Sequence, residues 1–207
     1  MVSGPASSIC RIIAMQQTHH TKRTHQCCCG NMSWRIAAKA RGTHVVCYCA
    51  DCQTYANTLD NGAARVDSDG GTEIFQTLPM HFEFLAGKEH LAALRLGPKG
   101  ILRWYAGCCG TPIANTLPAP GLPFVGAVLP PGAEDYGPVT SLLSTVGTAP
   151  HIKETRVLGA YLSVMGRVLG SVLSRKKRAT PFFADDKSPI VSPRVLSKSE
   201  RNAARPG

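Results

Sequence analysis

From residue 33 onward, short apolar runs of strand length are separated by turn-forming residues. Residues 33–39 and 43–47 read as strands on either side of a turn at Arg41 and Gly42. A short helix is expected over 53–59, ended by Asp60, Asn61 and Gly62. Further strands are predicted over 72–77, 80–85, 91–96 and 101–106, punctuated by Asp69-Gly70-Gly71, by Gly87, and by Gly97-Pro98-Lys99-Gly100. Phe82 and Phe84 flank Glu83, the alternation of a half-buried strand. Ile113 and residues 124–129 offer two more. Many short strands with turns between them define a mainly β domain.

Two later stretches differ. Residues 118–149 are rich in proline and glycine and read as a long surface excursion or linker. Residues 153–173 form one C-terminal helix. Leu158, Leu162, Met165, Leu169 and Val172 share a face, beside a stripe of Gly159, Ser163, Gly166 and Gly170. The apolar helix either packs on the β domain or lies on a membrane surface or a partner. Arg167 sits inside the run, so a bilayer span is not expected. The organisation expected is a disordered extension over 1–25, a β domain over 26–150, a basic-ended helix over 151–178 and a proline-rich surface tail over 179–207.

Charge adds little to this picture. The net charge of +10 collects at the ends. Residues 175–207 carry nine bases against three acids, and residues 1–25 carry Arg11, Lys22 and Arg23 with no acid. The body between them is nearly neutral, so no basic, aromatic-interleaved face for nucleic acid is expected. Arg11 interrupts what could have been a secretory apolar run, which points to a cytoplasmic protein with reduced thiols.

Cysteine changes the picture most. Eight of the nine cysteines fall in three groups: Cys27-Cys28-Cys29, then Cys47, Cys49 and Cys52, then Cys108-Cys109, with Cys10 apart. Cys47-Tyr-Cys49-Ala-Asp-Cys52 places three thiols at a strand end and the start of a helix, where they can converge on one soft ion. Three protein ligands leave a fourth position open, and His44 is the one nearby imidazole. The outer groups suggest a second, closed site that staples distant parts of the chain. Adjacent residues on an extended chain point to opposite sides, so Cys108 and Cys109 are not expected to share one ion without a kink. Cys28 should likewise point away from Cys27 and Cys29. The vicinal pair Cys108-Cys109 also permits a redox-sensing thiol protein.

The order Cys-x-Cys-Gly, Cys-x-Cys-x-x-Cys, then Cys-Gly-Thr resembles the glutathione-dependent formaldehyde-activating enzyme and centromere protein V (CENP-V/GFA) superfamily. The phrases Val46-Cys-Tyr-Cys-Ala-Asp-Cys-Gln, Gly70-Gly-Thr-Glu-Ile-Phe-Gln, Leu102-Arg-Trp-Tyr-Ala-Gly-Cys-Cys and Thr111-Pro-Ile-Ala-Asn-Thr are similar to an uncharacterised bacterial branch of it. The tail phrases Pro181-Phe-Phe and Pro193-Arg-Val-Leu-Ser share that similarity.

This resemblance implies a zinc-binding β-tent fold with two zinc ions, one structural and one with an open position. Cys47, Cys49 and Cys52 match the catalytic ligands, and Cys27, Cys29 and Cys109 match structural ones. The superfamily's late motif is Cys-x-x-Cys-Gly-Thr, whose first cysteine falls on Ala106 here. Cys108 is then a displaced fourth ligand or a free thiol. The implied activity is that of a carbon–sulfur lyase joining glutathione or a similar thiol to a small aldehyde such as formaldehyde. Asp51, His44 and Tyr48 are the neighbours able to supply a proton. The alternative is a non-catalytic, zinc-stabilised binding module.

Overall fold

The computed structural model describes residues 23–145, 151–173 and 180–206. Among these residues, eleven strands form two sheets. Strands β1 (Thr24–Gln26), β2 (Ser33–Ile36) and β5 (Phe82–Ala86) make a small antiparallel sheet in the order β1-β2-β5. The large sheet comprises β3 (Thr43–Cys47), β4 (Thr72–Thr77), β6 (Leu91–Arg95), β7 (Leu102–Ala106), β8 (Thr111–Thr116), β9 (Val125–Val128), β10 (Ser141–Leu143) and β11 (Arg194–Val195). Its order is β10-β3-β4-β9-β8-β7-β6-β11. The inner pairings are antiparallel, and both edge strands, β10 and β11, add in parallel. Helix α1 (Ala50–Asn57) follows β3, α2 (Val157–Leu173) follows β10, and α3 (Lys198–Ala204) ends the described chain.

The main core lies between the sheets. Trp34 and Ile36 from β2 and Phe82 from β5 meet Trp104, Ile113, Val125 and Ala127 from the large sheet. The other face of the large sheet is covered as well. Val45 and Ile74 pack with Cys52 of α1 and Ala160 of α2, while Leu94 and Leu96 pack with Tyr55 of α1 and Leu196. Strands covered on both faces lose their polar alternation, and β8 is buried at every residue. The fold is mainly β, as the turn spacing predicts.

The departures have local causes. The strand expected to start at residue 80 starts at Phe82, because Pro79–His81 forms a 3-10 turn that proline initiates. The extension expected over 1–25 ends earlier: β1 begins at Thr24, and the buried His25 hydrogen-bonds Tyr136 Oη at 2.6 Å. The expected excursion over 118–149 contributes β9 to the middle of the large sheet, β10 to its edge, and the buried Tyr136. Its prolines mark turns between elements rather than a linker.

Helix α2 packs on the sheet by an unexpected face. Ala160 and Val168 are buried and Arg167 donates to Thr43 Oγ1 at 2.7 Å, whereas Leu158, Leu162 and Leu169 are exposed. A small residue such as Ala160 permits close approach to the sheet that a leucine there would prevent. The basic run after α2 lies outside the described residues, as do residues 1–22. No described helix is long and apolar enough to cross a membrane.

The proline-punctuated tail is part of the folded body. Phe182 is 0% exposed and its ring lies 5.0 Å from Phe82, 5.1 Å from Trp104 and 5.5 Å from Phe84. Beyond it, β11 extends the large sheet and α3 closes with a capping box between Ser197 and Glu200.

Candidate metal centres

The seven cysteines expected to be ligands gather into two clusters. Cys27, Cys29, Cys108 and Cys109 form the first, and Cys47, Cys49 and Cys52 the second. Within each, the sulfur atoms all lie within 4.8 Å of one another.

The four-cysteine cluster is built from two tight turns, one from each sheet. Cys27 to Gly30 leaves β1, with Gly30 N–H donating to the Cys27 carbonyl at 2.9 Å. The Cys108-Cys109 turn joins β7 to β8, with Cys109 and Gly110 N–H both donating to the Ala106 carbonyl at 3.2 and 2.7 Å. Gly30 and Gly110 have φ of 78° and 69°, the left-handed region that glycine occupies without strain. This turn supplies the kink that adjacent cysteines need to share one site. They are not on an extended strand, so the kink is built in.

Cys27 Sγ lies 3.5 Å from Cys29 Sγ and 3.8 Å from Cys108 Sγ, and Cys29 and Cys108 are 3.3 Å apart. Four sulfurs about 2.3 Å from a tetrahedral zinc stand about 3.8 Å from each other, so the spacing fits such an ion with small adjustments. Backbone and hydroxyl donors orient the sulfurs. Met32 N–H donates to Cys27 Sγ at 3.3 Å. Thr111 Oγ1 accepts from Cys28 N–H at 3.0 Å and lies 3.1 Å from Cys109 Sγ. Asn61 Nδ2 donates to the Cys109 carbonyl at 2.6 Å. Cys28 itself stands outside the cluster, as expected.

The three-cysteine cluster forms where β3 runs into α1. Cys47 ends the strand, and Cys49 is the helix N-cap, its Sγ accepting from Cys52 N–H at 3.3 Å. Gln53 Nε2 donates to the Tyr48 carbonyl at 3.0 Å and closes the junction. A thiolate suits this place, because the helix start presents free N–H groups and positive dipole. Hydrogen bonds from Cys47 and Cys52 pull Cys49 far below the usual thiol range, while its acceptance raises Cys47 to about 11. In the other cluster the Cys27 bond likewise lowers Cys109 to about 4. In each cluster, hydrogen bonds from neighbouring S–H groups thus favour deprotonation of one cysteine.

His44 does not belong to the second cluster. Its Nε2 lies 3.0 Å from Glu73 Oε2 and its Nδ1 2.8 Å from the Gly137 carbonyl. Tyr48 is also engaged, donating to Asp67 Oδ2 at 3.1 Å. Asp51 is the remaining candidate; its side chain is 73% exposed, and Oδ2 lies 3.9 Å from Arg103 Nη2.

Arg103 was not singled out from the sequence, although a charged residue centred in the apolar run 101–106 was the available signal. It projects from β7 to the helix-covered side of the sheet, where Nη1 lies 4.0 Å from Cys52 Sγ and 3.5 Å from Asn115 Oδ1. Its guanidinium also rests over the Tyr55 ring at 5.2 Å.

Both clusters lie within residues 22–131, which match the model of a family of unknown function (DUF6151), and the chain belongs to that family. None of the curated proteins matches the chain. Among solved structures it is similar to the crystal structure of a Rhodobacter sphaeroides protein, a Northeast Structural Genomics target, at 14% identity and a TM-score of 0.40. That similarity covers 58% of this chain and 99% of the other. Two cysteine clusters able to hold metal ions are thus the chemical feature of this family member.

Proposed function

We propose that the protein is a zinc protein of the CENP-V/GFA type, with a structural ion in the four-cysteine cluster and a thiol-binding ion in the three-cysteine cluster. The reaction is then the addition of glutathione or a similar thiol to a small aldehyde such as formaldehyde. The observation that carries this reading is the difference between the clusters. One gathers four sulfurs, a full tetrahedral set, and the other gathers three, with the His44 imidazole engaged by Glu73 and the Gly137 carbonyl.

Zinc at the three-cysteine cluster would supply a place where an incoming thiol is held as its thiolate near neutral pH. The surrounding residues provide the rest. Cys47, Cys49 and Cys52 are fixed by the strand end and helix start, so little ordering remains when a ligand arrives. In the addition, the thiol sulfur bonds to the aldehyde carbon, the carbonyl π pair passes to oxygen, and that oxygen takes up a proton. Asp51, exposed and set between Cys49 and Cys52 in the chain, would relay that proton with solvent.

Calorimetric titration of the zinc-loaded chain with glutathione, with and without formaldehyde, tests this. Saturable binding and faster adduct formation are expected, both lost in Cys49→Ser/Cys52→Ser. Absence of both from fully loaded protein would refute the reading and leave a zinc-stabilised binding module.

A further inference from the structure

Each cysteine cluster is accompanied by one buried arginine. Arg65 is 5% exposed, gives Nη2 to the Gln26 carbonyl at 3.3 Å, and leaves Nε without a partner. Gln26 directly precedes Cys27, so the guanidinium lies beside the first cluster. Arg103 is 3% exposed and stands against Cys52 Sγ. Its carboxylate contact among the described residues is the outlying Asp51 at 3.9 Å, too exposed to balance a buried cation fully. Removing a guanidinium from water is costly unless a counter-charge sits close. For both arginines, sulfur is the natural counter-charge.

The charge balance distinguishes the two sites. A divalent ion with four thiolates is doubly negative, and Arg65 reduces that to a single negative charge. A divalent ion with three thiolates is singly negative, and Arg103 brings it to neutrality. A fourth, exogenous thiolate then returns the second site to the net charge that the first tolerates when complete. Without Arg103 the same thiolate would approach a centre already negative, in a poorly screened interior.

We propose that Arg103 is the positioning residue that compensates charge at the three-cysteine centre and makes it accept an anionic thiolate in preference to a neutral ligand. This rests on the reading of that centre as an open metal site. Asn115, which accepts from Nη1, and the Tyr55 ring beneath the guanidinium hold it in place without neutralising it.

The test uses the full chain loaded with cobalt, whose visible bands report a change of ligand independently of turnover. Two probes are titrated: 2-mercaptoethanol, charged when bound only at its sulfur, and imidazole, which is neutral. Wild-type protein is expected to take the thiolate more tightly. Arg103→Met should weaken the thiolate at least about tenfold while changing imidazole less than about twofold. Arg103→Lys should recover part of the loss. Asn115→Asp, isosteric and anionic against the guanidinium, should reproduce the selective loss even if Arg103→Met does not fold. Equal weakening of both probes, or no weakening in either variant, would overturn the role of Arg103 and leave the open site standing. No response of the wild type to either probe would overturn the open site itself, and this proposal with it.

Discussion

Loss of the four-cysteine centre should destabilise the protein far more than loss of the three-cysteine centre. The reason is the length of chain each closes. Cys27 and Cys108 are separated by 81 positions and come from turns attached to different sheets. A cross-link closing a loop of that length removes about 4.5 kcal/mol of unfolded-state entropy at 25 °C by the chain-entropy relation. Cys47 to Cys52 closes only about six residues, worth about 2 kcal/mol on the same scale. For a chain of 207 residues, each kcal/mol corresponds to about 2–4 °C in Tm. Cys108→Ser/Cys109→Ser should therefore lower Tm by roughly 9–18 °C, and Cys49→Ser/Cys52→Ser by roughly half that or less. Scanning calorimetry at saturating zinc, with metal per chain measured on the same samples, provides the comparison. Each variant should lose one ion. A chelator should bring wild type down toward the first variant. Equal shifts for the two variants, or full metal content in the first, would refute the staple.

Two further outcomes follow from the packing. Phe182→Ala should cost about 3–5 kcal/mol if the tail folds with the body, because its ring is wholly enclosed by Phe82, Phe84 and Trp104. A loss under about 1 kcal/mol in denaturant unfolding would show that the tail detaches independently. The His44–Glu73 pair should give stability a plateau between the ordinary values of the two groups. Desolvation opposes both charges, but the mutual hydrogen bond prevails, holding His44 above its usual 6.5 and Glu73 below its usual 4.5. Its contribution is then lost as pH falls through the lowered Glu73 value and as pH rises through the raised His44 value. Unfolding of Glu73→Gln across pH 3–9 should lack both shoulders, and a profile parallel to wild type would contradict the pairing.

Much of the sheet was legible because its cause is local. Residues 43–47 and 72–77 alternate or run apolar between unmistakable turn signals, and they form β3 and β4 at those limits. The second cluster was legible for the same reason: a strand end and a helix N-cap place Cys47, Cys49 and Cys52 together through backbone that is nearly contiguous. What the sequence hid depends on which surface meets which. The leucines of α2 have helical spacing, yet the spacing is silent on whether the sheet face admits leucine or only Ala160. Phe182 sits in a proline-broken tail whose composition suggests a surface path, and only the aromatic gap between the two sheets explains its burial.

The first cluster lies between these cases. Its residues were identifiable, but the conclusion about Cys108 and Cys109 turned on backbone shape rather than on residue type. On a strand their sulfurs would diverge; in a turn closed by Gly110 they converge. Gly110 also packs so tightly that a Cβ there would stand 2.8 Å from the Asp60 backbone nitrogen. Asn61 next to it holds the Cys109 carbonyl. The segment following α1 therefore braces the turn that delivers two ligands to the first centre, while α1 itself carries a ligand of the second. The two clusters are thus joined through one helix and the loop that ends it, so the backbone that shapes the three-cysteine cluster also supports the four-cysteine one.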